Sequence, residues 1–256
     1  MHKKIYLARR LTAGSTKYEQ RATSHERRVE MADLVITIDG PAASGKSTIA
    51  RLVAQKLGAS FLDTGAMYRA VTLAVIKAGV DLSDQKQLLD ILKKSKFDFS
   101  VKDDAMKVCV DGVNVTDQIR SPEVTAKARH IASAEKIRKR LVQMQRRFAA
   151  KEKKIVTEGR DQGTVAFSDA DIKFYLTADL AERARRRQAE LQAQGSNERL
   201  EEIQKAIEQR DKSDENRVVG PLKPARDAII VDTTNLGIEE VVEKVLGLIK
   251  EKCSKK

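Results

Sequence analysis

The sequence predicts an α/β fold with a central parallel sheet flanked by helices. Three observations carry this. Short apolar runs alternate with amphipathic segments along most of the chain, the pattern of a parallel sheet covered on both faces. The first apolar run leads into a glycine-containing loop and then a helix-period segment. Between about 95 and 125 the pattern changes to strand-like runs around Asp103-Asp104, a small β insertion.

Each element follows in order. Leu34-Val35-Ile36-Thr37-Ile38 is nearly continuous and apolar, as a strand buried on both faces should be. Ile49, Leu52, Val53 and Leu57 then share one helical face, and Gly58 stops that helix. Phe61-Leu62 is a second short strand, and residues 65–78 form a second helix ended by Gly79. Residues 97–101 and 106–110 pair as antiparallel strands, followed by Asp111-Gly112. Helices are expected near 122–131 and 135–151, and strands at 154–157 and 172–176. Two charged helices cover about 179–194 and 198–211. Ala228-Ile229-Ile230-Val231 is the last strand, before an amphipathic helix at 238–250. No internal repeat occurs.

Residues 32–256 therefore read as one domain. Residues 1–31 read as a disordered basic tail, or as a segment preceding a natural start at Met31. Eight basic and three acidic residues give positions 1–30 a charge of 8 − 3 = +5. The tail has no apolar stretch of the roughly 7–15 residues a secretory signal needs. Its Glu19, Glu26 and Glu30 argue against an organelle transit peptide.

Composition narrows the function. No apolar run approaches the roughly 18 residues of a membrane span. Two cysteines, Cys109 and Cys253, exclude a disulfide scaffold and a cysteine-based zinc site. Low cysteine use fits a reducing cytoplasm. The net charge is 49 − 37 = +12, so the natural partner is anionic. Aromatics make up only 4% and Trp is absent, fewer than a single-strand binder built on base stacking would use.

The chemistry is carried by Gly40-Pro41-Ala42-Ala43-Ser44-Gly45-Lys46-Ser47, a complete G-x-x-x-x-G-K-S motif between an apolar strand and an amphipathic helix. Backbone N–H groups and the helix N-terminus in such a P-loop cradle phosphates. Lys46 can reach the β- and γ-phosphates, and the Ser47 hydroxyl can ligate Mg²⁺. A P-loop NTPase fold binding a nucleoside triphosphate with Mg²⁺ follows. No Asn/Thr-Lys-x-Asp guanine reader is present, which excludes an ordinary GTPase, and no apolar strand ends in Asp-Glu as in a motor ATPase. Arg138, Arg160, Arg210 and Arg217 lie at or near element ends, where an α/β sheet places its ligands. An arginine-lined cleft suits a second phosphate-bearing substrate.

Together with the P-loop, four further segments resemble the bacterial cytidylate kinases, within the nucleoside monophosphate kinases. They are Leu62-Asp63-Thr64-Gly65-Ala66-Met67-Tyr68-Arg69, Glu158-Gly159-Arg160-Asp161-Gln162-Gly163-Thr164-Val165, the run Glu182 to Arg187, and Arg210-Asp211 with Asp214 and Arg217. Pro221-Leu222-Lys223-Pro224-Ala225 continues the likeness, which covers about 33–250.

The resemblance implies that ATP and CMP or dCMP are the substrates of a cytoplasmic, monomeric kinase without a nucleic-acid partner. Residues 40–48, ending in Thr48, would hold ATP. Thr64 and Arg69 would sit on the acceptor, with Arg69, Arg160 and Arg217 on its phosphate. Arg138 and Asp161 would meet the cytosine edge, and Arg210 and Asp214 the ribose. Arg186 and Arg187 would act with Lys46 on the transferring group, from a lid spanning about 183–217. The β insertion matches the enlarged acceptor region of bacterial members.

Blander readings stand beside these. Arg183 to Arg187 also fit a solvated helix face, with Arg185 the first candidate bystander. Asp214 also reads as a loop carboxylate pairing Arg210. Met67 and Tyr68 read as packing residues, Lys93, Lys94 and Lys96 as an exposed cluster, and His130 as structural or exposed. The chain departs from the family pattern at Arg129, where many members carry Ser. It also departs at Glu135 and Ser168, where proline is usual. These departures leave open whether UMP is accepted as well as CMP. A P-loop ATPase that binds nucleic acid is the alternative from a different class.

Overall fold

The computed structural model describes residues 32–102, 105–193 and 195–254. The basic tail expected over 1–31 and the Asp103-Asp104 turn lie outside the described residues. Five parallel strands form the main sheet: β1 (Leu34–Asp39), β2 (Ser60–Asp63), β6 (Lys154–Gly159), β7 (Ile172–Thr177) and β8 (Ile229–Asp232), in the order β2-β6-β1-β7-β8. β1 is central, with Ile36 opposite Val156 on one side and Ile172 on the other.

Strand pleating sends alternate side chains to opposite faces, and the core splits accordingly. Ile36, Ile38, Val156 and Phe174 pack beneath α1 (Lys46–Leu57) and α8 (Ile238–Cys253). Val35, Leu62 and Ile155 face the other way, toward α2 (Thr64–Lys77) and α5 (Glu135–Ala149). Both faces being covered explains why β1 reads as continuously apolar.

The insertion is a three-stranded antiparallel sheet of β3 (Phe97–Lys102), β4 (Ala105–Val110) and β5 (Val113–Asn114). Its Met106 and Val108 join the α2 core. A helix absent from the sequence reading, α3 (Gln85–Lys94), precedes it. The Asp84 side chain caps α3 by accepting from the N–H groups of Lys86 and Gln87, and the helix buries Leu88 and Leu92. Lys93, Lys94 and Lys96 are exposed, as expected.

The remaining helices are α4 (Pro122–Ser133), α6 (Leu180–Gln192) and α7 (Leu200–Glu215). α7 runs past the expected end near 211, so Asp214 is helical and not a loop residue. Among the described residues no helix is long and apolar enough to cross a membrane.

Candidate active site

Parallel strands end together, and an α/β sheet gathers its ligands at that edge. β1 ends in Asp39 and passes into residues 40–45, with α1 starting at Lys46. Gly45 occupies the cap position at φ +81°, a left-handed turn that glycine takes without strain. Lys46 is buried, and its Nζ donates to the Pro41 carbonyl at 3.0 Å. Burial first, and then the neighbouring Arg160, pull the Lys46 ammonium down to about 7, while Glu158 opposes. The buried Ser44 hydroxyl has no partner among the described residues.

Opposite the loop, β2 ends in Asp63. Its carboxylate caps α2 by accepting from the N–H of Ala66 at 2.8 Å and pairs with Arg69 at 3.1 Å. The Thr64 hydroxyl donates to the Glu158 carbonyl at 2.7 Å, which leaves its lone pairs for a ligand. β6 delivers Glu158, Arg160 and Asp161 to the same edge. Arg160 Nε donates to Asp214 Oδ2 at 2.8 Å, and Arg217 pairs with the other Asp214 oxygen. Burial alone would raise the Asp214 carboxyl, but Arg160, Arg217 and Arg210 outweigh it and hold it below the ordinary range. Asp214 therefore bridges Arg160 and Arg217, and among the described residues the blander alternative, a hydrogen-bonded pair with Arg210, is not formed.

Arg210 is exposed by surface area, yet its guanidinium stands within the charged cleft. Desolvation first, then Arg160 and Arg69, pull it down to about 10. The Nε atoms of Arg69, Arg138 and Arg217 are buried without partners among the described residues. Unsatisfied cationic donors converging on one cleft suit an anionic ligand.

The Arg138 and Asp161 side chains form a buried ion pair, and Arg138 also donates to the Ala132 carbonyl at 3.0 Å. The Arg138 guanidinium lies over the Tyr68 ring, 5.5 Å from its centroid, so Tyr68 does more than pack. The Gly220 backbone, at φ +63°, covers this pair so closely that a Cβ would collide with Asp161 and Arg138. Behind it, Asp39 accepts from the N–H groups of Gln162 and Gly163, fixing the π-type turn over Gln162–Ala166.

The α6 arginines divide. Arg186 donates to Glu182 and, through Nη1, to the Thr233 hydroxyl at 3.0 Å, just beyond β8. Arg187 pairs with Glu190 on the solvent side, and Arg185 pairs with Glu182. The solvated-face reading fails for Arg183. It is buried, pairs with Asp211, and donates to the Ala42 carbonyl at 2.9 Å. Arg129 is exposed and shares a surface cleft with His130, Ser133 and Ser213.

Three further groups were given no role from sequence: Asp39, Glu158 and the Arg183–Asp211 pair. An apolar Ile155-Val156-Thr157 run ending in Glu158 was the available signal for one of them. The Ser47 hydroxyl lies near the Glu158 carboxyl and favours its charged form. Burial first, and then Asp63, raise the Glu158 carboxyl, while Lys46 opposes. Among the described residues no three carboxylate, His or Cys side chains gather as a metal cage. A hydroxyl beside one carboxylate nevertheless fits Mg²⁺, which commonly takes one or two protein oxygens together with substrate phosphates.

The comparisons agree with this geometry. A family model described as cytidylate kinase matches residues 36–251. The chain is similar to a protein named cytidylate kinase from Limosilactobacillus reuteri, 47% identical over 219 residues, covering 85% of this chain and 96% of the relative. Relatives of the same name occur in Lactobacillus gasseri, 43% identical over 85% of this chain and 94% of the relative, and in Bacillus thuringiensis, 42% identical over 84% and 95%. The matched span begins within β1, ends in α8, and includes the P-loop, the carboxylate–arginine pairs of the site and the α6–α7 segment. The chain belongs to the cytidylate kinase family.

Proposed function

We propose that the protein transfers the γ-phosphoryl group of ATP to the phosphate of CMP or dCMP, releasing ADP and CDP or dCDP. One observation carries the reading: Asp39 and Gly159 are register partners on adjacent parallel strands, so the P-loop and the Arg160–Asp214–Arg217 cluster leave the same sheet edge side by side. A phosphate-cradling loop facing an arginine set is what joining two phosphates requires.

Residues 40–48 hold the ATP phosphates. Arg69, Arg160 and Arg217 hold the acceptor phosphate, whose oxygen is already anionic near neutrality. That oxygen attacks the γ-phosphorus as the bond to the β-phosphate oxygen breaks, so no protein base is needed. Catalysis is then positioning and charge neutralisation. Arginine forks suit this because they bind phosphate bidentately and keep their charge. Ser47 and Glu158 would hold Mg²⁺, which would supply further neutralisation of the phosphates.

Arg138 and Asp161 read cytosine, Arg210 and Asp214 the ribose. Arg186 and Arg187 approach the transferring group from a lid over about 183–217. On this reading the protein acts as a monomer on free nucleotides, without nucleic acid. The two cysteines are unpaired, which fits a cytoplasmic setting.

An acceptor panel tests the proposal: purified protein, ATP, and CMP, dCMP, UMP, AMP or polynucleotide. ATP turnover is expected with CMP and dCMP, weakly with UMP, and not with polynucleotide. Turnover that depends on polynucleotide instead would overturn it.

A further inference from the structure

Ala42 sits inside the P-loop, yet both of its backbone polar groups are occupied by side chains from elsewhere. Its N–H donates to Asp211 Oδ1 at 2.9 Å, and its carbonyl accepts from Arg183 Nη1 at 2.9 Å. Arg183 and Asp211 are paired with each other, and Arg183 Nε donates to the Ala178 carbonyl at 3.0 Å. All three residues are buried: Ala42 is 4% exposed, Arg183 8% and Asp211 7%. The next residue, Ala43, has φ +57°, a left-handed conformation that a residue with a Cβ rarely adopts. Ala42 also packs with Ala184 of α6 and with Ile203 and Ile207 of α7.

We propose that Arg183 and Asp211 are positioning residues for the phosphate donor, holding the P-loop in its strained, phosphate-admitting shape. The inference rests on the reading of residues 40–48 as the ATP site. Neither group needs to touch a nucleotide. Pinning both sides of Ala42 prevents the peptide from rotating, so Ala43 cannot relax toward the right-handed region. Because the Ala42 N–H is turned to Asp211, phosphates are left to the later N–H groups of the loop. The pair also links the loop to α6 and α7, which carry Arg186, Arg210 and Asp214.

Asp211→Asn and Arg183→Lys in the full chain test this, each alone and combined with Ala43→Gly. Glycine takes the left-handed turn without the steric cost, so it relieves a defect caused by the loop relaxing but not a general loss of packing. Each single variant is expected to raise the KM for ATP about tenfold while the KM for CMP changes by less than about threefold. Ala43→Gly is expected to recover most of the ATP effect. Equal rises in both KM values, or a defect that Ala43→Gly leaves untouched, overturns the proposal. Should Asp211→Asn fail to fold by circular dichroism, Arg183→Lys, which keeps the buried charge, decides. Lys46→Met is run beside them. If it stays active, the ATP-site reading is at fault; if it is inactive while the Asp211 and Arg183 variants show wild-type ATP KM, the positioning role is at fault.

Discussion

Asp39 Oδ2 accepts the backbone N–H of Gly163 at 2.8 Å, although the two residues are 124 positions apart in the chain. Its Oδ1 accepts that of Gln162 at 2.9 Å. The residue that ends the central strand thus holds the turn directly after Asp161. Asp39→Asn puts an NH₂ against one of two N–H donors, so at most one bond survives. The expected outcome is a loss of about 1–3 kcal/mol by urea denaturation, with a larger rise in KM for CMP than for ATP. An unchanged midpoint and unchanged KM values would remove the role assigned to Asp39.

Asp39 also gives stability a pH dependence. Burial raises its carboxyl from 3.8 to about 7, against the pull of the two N–H bonds. Between those values the folded chain binds a proton that the unfolded chain has released. Its contribution to stability is therefore present below about 4 and is lost as pH rises to 7. Denaturation midpoints measured across that window should fall less steeply in Asp39→Asn than in the wild type.

Cytosine presents an amino donor where uracil presents a carbonyl, and the Asp161 carboxylate can accept only from the former. In the proposed reading Arg138 would donate toward the ring N3 side, which is an acceptor in cytosine alone. Asp161→Ala should lower the CMP-over-UMP ratio of kcat/KM by on the order of 10²-fold or more. It should also destabilise the fold by about 3–5 kcal/mol, because Arg138 is left buried and unpaired. A preference that persists in a folded Asp161→Ala protein would place base choice elsewhere, and exposed Arg129 would be the next residue to test.

Lys46 stands near 7 without phosphates because it is buried and faces Arg160. At pH 8 it is therefore mostly neutral, and anionic phosphates must restore its proton. Binding of a non-hydrolysable ATP analogue at pH 8 should take up protons, read by calorimetry in buffers of different ionisation enthalpy. Lys46→Met should lose that uptake and about 10³-fold or more in turnover. Proton release in the wild type would contradict the sign.

Closure of the α6–α7 segment over a bound pair of nucleotides should exclude water from the transfer site. The two helices differ along their length: Arg183 and Asp211 are tied to Ala42, whereas Arg187 pairs with Glu190 on the solvent side. Hydrogen exchange should slow between α6 and α7 when a bisubstrate analogue binds, with little change at Arg183 and Asp211. Equal exchange in both states would mean that no lid closes.

The strand–loop–helix unit around Lys46 was legible because every local signal there agrees: a two-face apolar strand, the glycine spacing, and a helix stopped at Gly58. α3 was not, although Leu88 and Leu92 hold the required spacing, because ten residues give the helical period little length in which to show. Two-residue β5 is too brief to show a period. The end of α7 was not legible: the charged residues after 211 carry no apolar period, so nothing there shows that Asp214 is still helical. Arg183 shows a different limit. Sequence gives its place on a charged helix, but only the packing of α6 against α7 and the P-loop decides which arginine turns inward. The turn at Gln162–Ala166 depends on Asp39, far away in the chain, so no local pattern announces it.

The position of β1 has a consequence for how the protein is made. Its ladder partners are β6 and β7, with Leu34 facing Lys154 and Ile36 facing Ile172. On the ribosome, β1 emerges long before either. At roughly 5–20 residues per second, this apolar central strand waits on the order of ten seconds with both edges open. Such a segment invites pairing with other nascent chains. Folding of this enzyme is therefore bound to late synthesis, and a chain stalled before residue 154 should be recovered as aggregate while one stalled after the last strand should not.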